Sequence, residues 1–103
     1  MAQLVVGSAM SDASRAEDLP SPHTPLYHHP LPLLEAWLKG LGAQQRSSHS
    51  CQWDLHQPQW SALLELEVEE LKVSWLDDGH QTVRLFPYGL SRADVEAAIL
   101  AGP

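Results

Sequence analysis

The apolar positions of residues 31–42 repeat with a helical period. Residues three or four positions apart share one face of a helix, and the segment "LPLLEAWLKGLG" places five apolar residues on such a face: Leu33, Leu34, Trp37, Leu38 and Leu41. Pro30 and Pro32 lie before or within the first turn, where proline is tolerated, and Gly42 occupies a position typical of helix ends. The pattern predicts a helix from about Leu31 to Leu41.

Residues 60–76 fit two different periods. Apolar residues alternate with polar ones from Trp60 to Val68, with only Leu63 out of step. The parity changes after Glu70, which is typical of two strands joined by a turn or bulge at Glu69 and Glu70. A helix over 60–76 is the alternative, because some of the same residues also recur at helical spacing: Leu64, Val68, Leu71 and Trp75. We favour the two strands, because the flanking segments "HQPQ" and "DDGH" are rich in turn-forming residues.

The remaining segments complete a mixed fold. "SCQWDLH" and "QTVRLFPY" contain strand-forming residues. Ser91, with Asp94 three positions later, predicts the start of a C-terminal helix that buries Val95 and Ile99. The order indicates an α+β fold: an N-terminal helix, an antiparallel meander of three or four short strands, and a C-terminal helix, with both helices on one face of the sheet.

The first 24 residues have no hydrophobic period. We therefore expect residues 1–24 to form a flexible N-terminal tail and residues 25–103 to form a single small α+β domain. The start "MAQLVVGSAM" lacks the basic and long apolar regions of a signal peptide, and Met10 is an alternative start. "PHTPLYHHPLP" at residues 22–32 marks the boundary between tail and domain, and we expect its histidines to be surface groups.

Charge narrows the classes of partner. Thirteen acidic residues against six Lys and Arg give a net charge of −7, with Lys72 the only base among the acids of residues 65–78. This charge opposes binding to phosphate backbones, so we expect no nucleic-acid partner. We expect a protein partner, and the acidic surface would suit a basic one. No segment approaches the roughly 20 apolar residues that a membrane span requires, and we expect no membrane insertion. The single Cys51 cannot form an internal disulfide, which favours a reducing, cytoplasmic location.

Metal or nucleophilic chemistry has few candidate residues. His49, Cys51 and His56 are weak candidates for a metal site, because zinc needs three or four well-placed ligands and no second well-spaced pair accompanies them. The glycine-rich turns that support a nucleophile or a phosphate are also absent from the sequence. We expect no cofactor. A small metal-dependent regulator or enzyme that uses Cys51 and the nearby histidines is the alternative function.

The favoured function is a non-enzymatic protein–protein interaction module, an adaptor or assembly factor with an acidic surface. Glu65, Glu67 and Glu69 would share one solvated strand face. The tryptophans fit the apolar stripes of their own elements, with one pair expected to be partly exposed for contact: Trp53 and Trp60. Tyr27 and His28 would belong to a docking segment at the boundary. No oligomeric state is predicted.

Several segments together resemble a known family. They are "PLYHHPLPLLEAWLKGLG", "CQWDL", "LELEVEELKVSWL" and "YGLSRADVEAAILAGP", of which the last is the most specific. Over residues 24–103 the chain resembles a small cyanobacterial family of proteins of unknown function. The resemblance implies a soluble protein of a photosynthetic prokaryote and supplies no catalytic residues.

Overall fold

The computed structural model describes residues 19–103. Two helices and five strands follow one another in the order α1, β1 to β5, α2. The helices are α1 (Leu31–Gly40) and α2 (Arg92–Ala101), and a single 3₁₀ turn (Leu26–His28) precedes α1. The strands are β1 (Gln44–Gln45), β2 (Gln52–His56), β3 (Ser61–Leu66), β4 (Glu70–Asp77) and β5 (His80–Pro87).

The five strands form one antiparallel meander in which sequence order is also spatial order. Two tight hairpins set its register. Glu67 donates its backbone N–H to Glu70 at 3.0 Å across the β3–β4 turn, and Asp77 pairs with His80 across the β4–β5 turn. Positive φ values of 50° at Asp78 and 83° at Gly79 produce this second turn.

One face of the sheet carries the core. Alternate strand residues are buried there against residues of α1 and α2, so both helices cover the same face. Trp75 on β4 donates its indole N–H to the backbone oxygen of Ile99 in α2 at 3.3 Å. The buried strand residues are Trp53, Leu55, Ala62, Leu64, Leu71, Val73, Trp75 and Phe86.

The predicted α+β fold is confirmed, with one strand more than expected. The parity change near Glu69 and Glu70 is a hairpin turn, and residues 60–76 contain two strands and no helix. The additional strand, Gln44–Gln45, lacks strand-forming residues and is held by its pairing with Asp54 and Trp53 of β2.

The segment before α1 is attached to the start of α2. Arg92 and Ala93 donate their backbone N–H groups to the oxygens of Thr24 and Pro22, at 3.0 and 2.7 Å. Pro25 forms an antiparallel bridge with Ser91. Of the predicted tail of residues 1–24, residues 1–18 lie outside the described residues. Residues 19–24 have these contacts with the domain. We call residues 19–29 the strap.

Candidate functional site

The sheet has a second face that neither helix covers. We call it the open face; its side chains alternate with the buried ones along β2 to β5. Three of its apolar residues are about half exposed: Leu76 at 52%, Val83 at 46% and Leu85 at 53%. About half of each side chain is therefore accessible in the part of the chain from residue 19 to residue 103. The principal members of the open face are Gln52, Asp54, His56, Leu63, Glu65, Lys72, Leu76, Val83 and Leu85.

A shallow cavity of about 490 Å³ lies on the open face. Its lining contains apolar residues, among them Leu63 and Leu76, together with four charged residues: Arg46, Asp54, Glu65 and Lys72. Two bases and two acids leave the four charges balanced. The cavity therefore combines apolar contact area with fixed positions for charges of either sign, a composition that suits the surface of another protein.

An ion pair borders this cavity. Arg46 donates two hydrogen bonds to Asp54, from Nε at 2.8 Å and from Nη2 at 3.0 Å. These bonds lower the pKa of the Asp54 carboxyl and raise the pKa of the Arg46 guanidinium. Both groups are therefore charged across the physiological pH range, and each already has a partner.

Glu65 and Lys72 are paired across β3 and β4 on the same face. The carboxylate of Glu65 also accepts a hydrogen bond from Nε2 of Gln52 at 3.1 Å. Opposite charges on directly opposed strand positions stabilise the sheet modestly. Lys72 thus neutralises part of the acidic surface that was predicted for this strand.

Five of the acidic residues lie at the ends of the sheet. The prediction that Glu65, Glu67 and Glu69 share a strand face is wrong for the last two, because β3 ends at Leu66. Glu67 and Glu69 flank Val68, which is 95% exposed at the tip of the β3–β4 hairpin. Glu70 also borders this tip, and Asp77 and Asp78 lie at the opposite end of β4. The acids therefore form two separate clusters.

Tyr88 lies beside the first of these clusters. Its hydroxyl donates a hydrogen bond to the backbone oxygen of Glu67. Burial, followed by the nearby charges of Glu67 and Glu70, raises the pKa of Tyr88 to about 12. The phenol therefore stays neutral and fixes the end of β5 to the β3–β4 hairpin.

The aromatic contact residues do not form one surface. Trp53, which was expected to be partly exposed, is only 1% exposed and belongs to the core. Trp60 is half-buried beside Gly102 at the end of α2. Tyr27 and His28 are exposed in the strap, with ring centroids 4.3 Å apart. The backbone N–H of Tyr27 bonds to the oxygen of Tyr88 at 2.9 Å, so this aromatic pair lies beside the segment that follows β5.

The candidate metal ligands are dispersed. Cys51 is an exposed thiol before β2 and His56 is the last residue of that strand, so their backbones lie about 17 Å apart. His49 lies in a turn with a φ of 64°. No group of three His, Cys, Asp or Glu side chains able to hold a metal ion occurs among residues 19–103.

The expectation that the histidines of residues 22–32 are surface groups is wrong for His29, which belongs to a buried polar pair. His29 is 4% exposed and Arg92 is 9% exposed, at the contact between the strap and α2. Nδ1 of His29 lies 3.1 Å from the backbone oxygen of Pro25, while Nε2 is buried without a partner. Arg92 donates from Nη2 to the backbone oxygen of Pro20 at 2.7 Å. His29 and its exposed neighbour His28 carry no sequence signal that distinguishes them.

Comparison with known proteins identifies a family. A family model described as "Protein of unknown function (DUF3143)" matches residues 41–102, from the end of α1 through α2. The resemblance to a family of proteins of unknown function is thereby confirmed over this range, which contains the whole sheet and the open face. No curated protein and no solved structure matches the chain. Within residues 19–103, neither helix has the length and apolarity needed to cross a bilayer.

Proposed function

This chain belongs to the family of proteins of unknown function DUF3143, and we propose that it is a non-enzymatic interaction module that binds a basic partner protein. The proposed binding surface is the open face. The observation that supports it is the set of half-exposed apolar residues, Leu76, Val83 and Leu85, on the same face of the sheet as an ion pair and a shallow cavity.

The open face has the anatomy of a protein-binding surface. Interfaces between proteins combine apolar contact area with charged groups at their margins. Leu63 and Leu76 would supply the apolar contact. The Arg46–Asp54 pair at 2.8 Å would orient a partner through its charges.

Charge indicates the chemistry of the partner. The chain has a net charge of −7, and the acids at both ends of β4 border the open face. A basic protein would be attracted from a distance by these clusters, which raises association rates at low ionic strength. The partner that fits best therefore has Lys or Arg around an apolar centre.

An affinity experiment with matched variants tests this function. The full chain would be used as bait in a native lysate at low and high salt, alongside Leu76→Glu on the open face and Leu31→Glu on α1. Leu31 is 57% exposed and Leu76 is 52% exposed, so the two substitutions have similar effects on solubility. We expect a basic protein that the wild type and Leu31→Glu retain, and that Leu76→Glu loses.

The captured protein would then be purified and its binding measured directly. Affinity should fall as salt rises, because ion pairs between the two surfaces are screened. Equal binding by both leucine variants would contradict the proposed surface. An affinity that is independent of salt would contradict the proposed class of partner.

The alternative function is a metal-dependent regulator or enzyme. No arrangement among residues 19–103 supports it, because its candidate residues are dispersed: Cys51, His49 and His56. A cytoplasmic location and a cyanobacterial source are part of the proposal. They rest on the single cysteine and on the sequence resemblance.

A further inference from the structure

Strand β5 is an edge strand, and the backbone groups on its outer side have no partner strand within residues 19–103. It is eight residues long and lies at the edge of the sheet beside β4 alone. The opposite edge strand, β1, has two residues. A strand of this length presents a row of free backbone donors and acceptors, whereas a two-residue edge presents almost none.

The register shows which residues of β5 face outward. Asp77 and His80 flank the two-residue turn and form the hydrogen-bonded closing pair, so bonded pairs recur at every second position. Thr82, Arg84 and Phe86 therefore bond to β4. The backbone groups of Gln81, Val83 and Leu85 point away from the sheet.

The usual protections of an edge strand are weak here. Natural edges are blocked by charges, prolines, bulges or a covering element. Pairing between β4 and β5 runs without interruption from Glu70–Pro87 to Asp77–His80, so there is no bulge. Proline occurs at the last position, and Arg84 is the strand's single Lys, Arg, Asp or Glu residue. Val83 and Leu85 add half-exposed apolar side chains.

We propose that two copies of this chain pair through β5, antiparallel and about a twofold axis at Val83. Val83 would lie opposite Val83 of the partner subunit, and Gln81 opposite the partner's Leu85. The outward backbone groups of Gln81, Val83 and Leu85 would all be bonded, and the two sheets would become one. The inference concerns the edge of the sheet and does not depend on the proposed function.

The strand is chemically complementary to itself in this register. On the side of the sheet that carries the core, Arg84 would lie opposite the partner's Thr82, so the two guanidinium groups are diagonal rather than opposed. Arg84 already lies over the ring of Phe86, 4.7 Å from its centroid. On the other side, Val83 and Leu85 of both copies would form a continuous apolar row. A basic partner strand would instead place cations beside Arg84, which favours a second copy as the occupant.

The dependence of association on salt distinguishes this dimer from the proposed complex with a basic protein. Each copy carries a net charge of −7, so the two copies repel one another at a distance. Screening reduces this repulsion. We expect the dimer to tighten as salt rises, whereas binding of a basic partner should weaken.

Cysteine crosslinking tests the pairing and its register. Val83→Cys and Leu85→Cys would each be made in the full chain with Cys51→Ser, so that each protein has one thiol. Opposed residues of a bonded pair have Cα atoms about 5.5 Å apart, within the range that a disulfide spans. Leu85 and its counterpart would be separated by about 14 Å along the strands.

We expect mild oxidation to convert the Val83→Cys protein to a covalent dimer and to leave the Leu85→Cys protein without a crosslink. Crosslinking through position 85 instead would overturn the register. A monomeric mass for the unmodified protein at all concentrations and salt conditions, measured by light scattering, would overturn the dimer.

Two further variants separate backbone pairing from changes in folding. Val83→Thr keeps the backbone N–H and the branched shape, and it should dimerise. Val83→Lys would oppose two ammonium groups and should be monomeric, with a circular dichroism spectrum equal to that of the wild type. Dimerisation of the lysine variant equal to that of the threonine variant would contradict the pairing.

Discussion

The indole N–H of Trp37 in α1 donates a hydrogen bond of 2.9 Å to the carboxylate of Glu96 in α2, across 59 positions of sequence. Trp37 is only 3% exposed, and the bond joins the two helices over the sheet. If the acceptor were removed, the buried indole N–H would have no partner. The loss of stability would then exceed the net contribution of the hydrogen bond.

Glu96→Ala should therefore lower the free energy of unfolding by about 1–3 kcal/mol. Urea denaturation followed by fluorescence measures this change. Glu96→Gln keeps an acceptor oxygen and should retain most of the stability. An equal loss in both variants would show that the carboxylate charge, and not the hydrogen bond, is what α1 requires.

A substitution at Leu26 tests how much the strap contributes to the stability of the fold. This residue is 0% exposed, and it lies outside the segment that the family model matches. Leu26→Ala should cost about 2–5 kcal/mol of unfolding free energy, as for other large buried residues. Tyr27→Ala, at a position that is 61% exposed, is the matched control and should cost far less. Similar small losses in both variants would mean that the strap contributes little to the core.

His29 should make stability depend on pH below neutrality. Because a carbonyl oxygen can only accept, Nδ1 of His29 carries the proton that is shared with Pro25, and protonation would have to occur at the buried Nε2. Burial, assisted by the charge of Arg92, lowers the pKa of His29 from its ordinary value of 6.5.

The unfolded chain therefore binds a proton at a higher pH than the folded chain does. This contribution to stability is fully present above pH 6.5 and is lost as the pH falls from 6.5 toward the lowered folded pKa. Urea unfolding measured across this window should show a slope that His29→Gln removes. His28→Gln, at the exposed neighbouring position, should keep the slope; the reverse pattern would contradict the assignment to His29.

Tyr88 should produce the opposite dependence at alkaline pH. The pKa of Tyr88 is raised to about 12 from an ordinary value of 10.0. Between these values the folded chain keeps a proton that the unfolded chain releases, so stability should fall as the pH rises through the window. The chain has two tyrosines, and in Tyr27→Phe the ultraviolet titration reports Tyr88 alone. A midpoint near 10 would mean that this phenol is not buried beside the acids.

Gly102 is held against Trp60. Its φ is 85°, and a Cβ atom at this position would lie 2.5 Å from Nε1 of Trp60. Gly102→Ala combines this clash with an unfavourable backbone conformation and should cost about 1–3 kcal/mol. Gly40→Ala, in a helical position with no neighbour within 4 Å, should be neutral or stabilising. Thermal unfolding of the two alanine variants compares them directly, and equal midpoints would contradict the close contact.

Local chemistry in the sequence predicts much of the fold. Ser91 accepts the backbone N–H of Asp94 at 3.1 Å, as the capping pattern indicates, and the parity change at Glu69 and Glu70 marks a turn. These features depend on neighbours within a few positions. Strand Gln44–Gln45 has no such signal, because it exists through pairing with residues of β2.

The candidate site is harder to predict for the same reason. The sequence indicates which residues alternate, and it therefore identifies Glu65 as outward-facing. It does not indicate that Lys72 lies opposite or that Arg46 reaches Asp54, since both contacts depend on strand register and on the path of the loop before β2. The burial of His29 depends similarly on its contact with Arg92, which is distant in sequence.

The bond between Trp37 and Glu96 also bears on the order of folding. Its 59-position span encloses the entire sheet, whereas the strands within it are joined by short turns and pair with their sequence neighbours. Local hairpins close with a small loss of chain entropy, and contacts between distant residues form late unless the intervening chain is already compact. The meander should therefore assemble first as a folding nucleus, and the docking of the two helices should be the last and most easily reversed step.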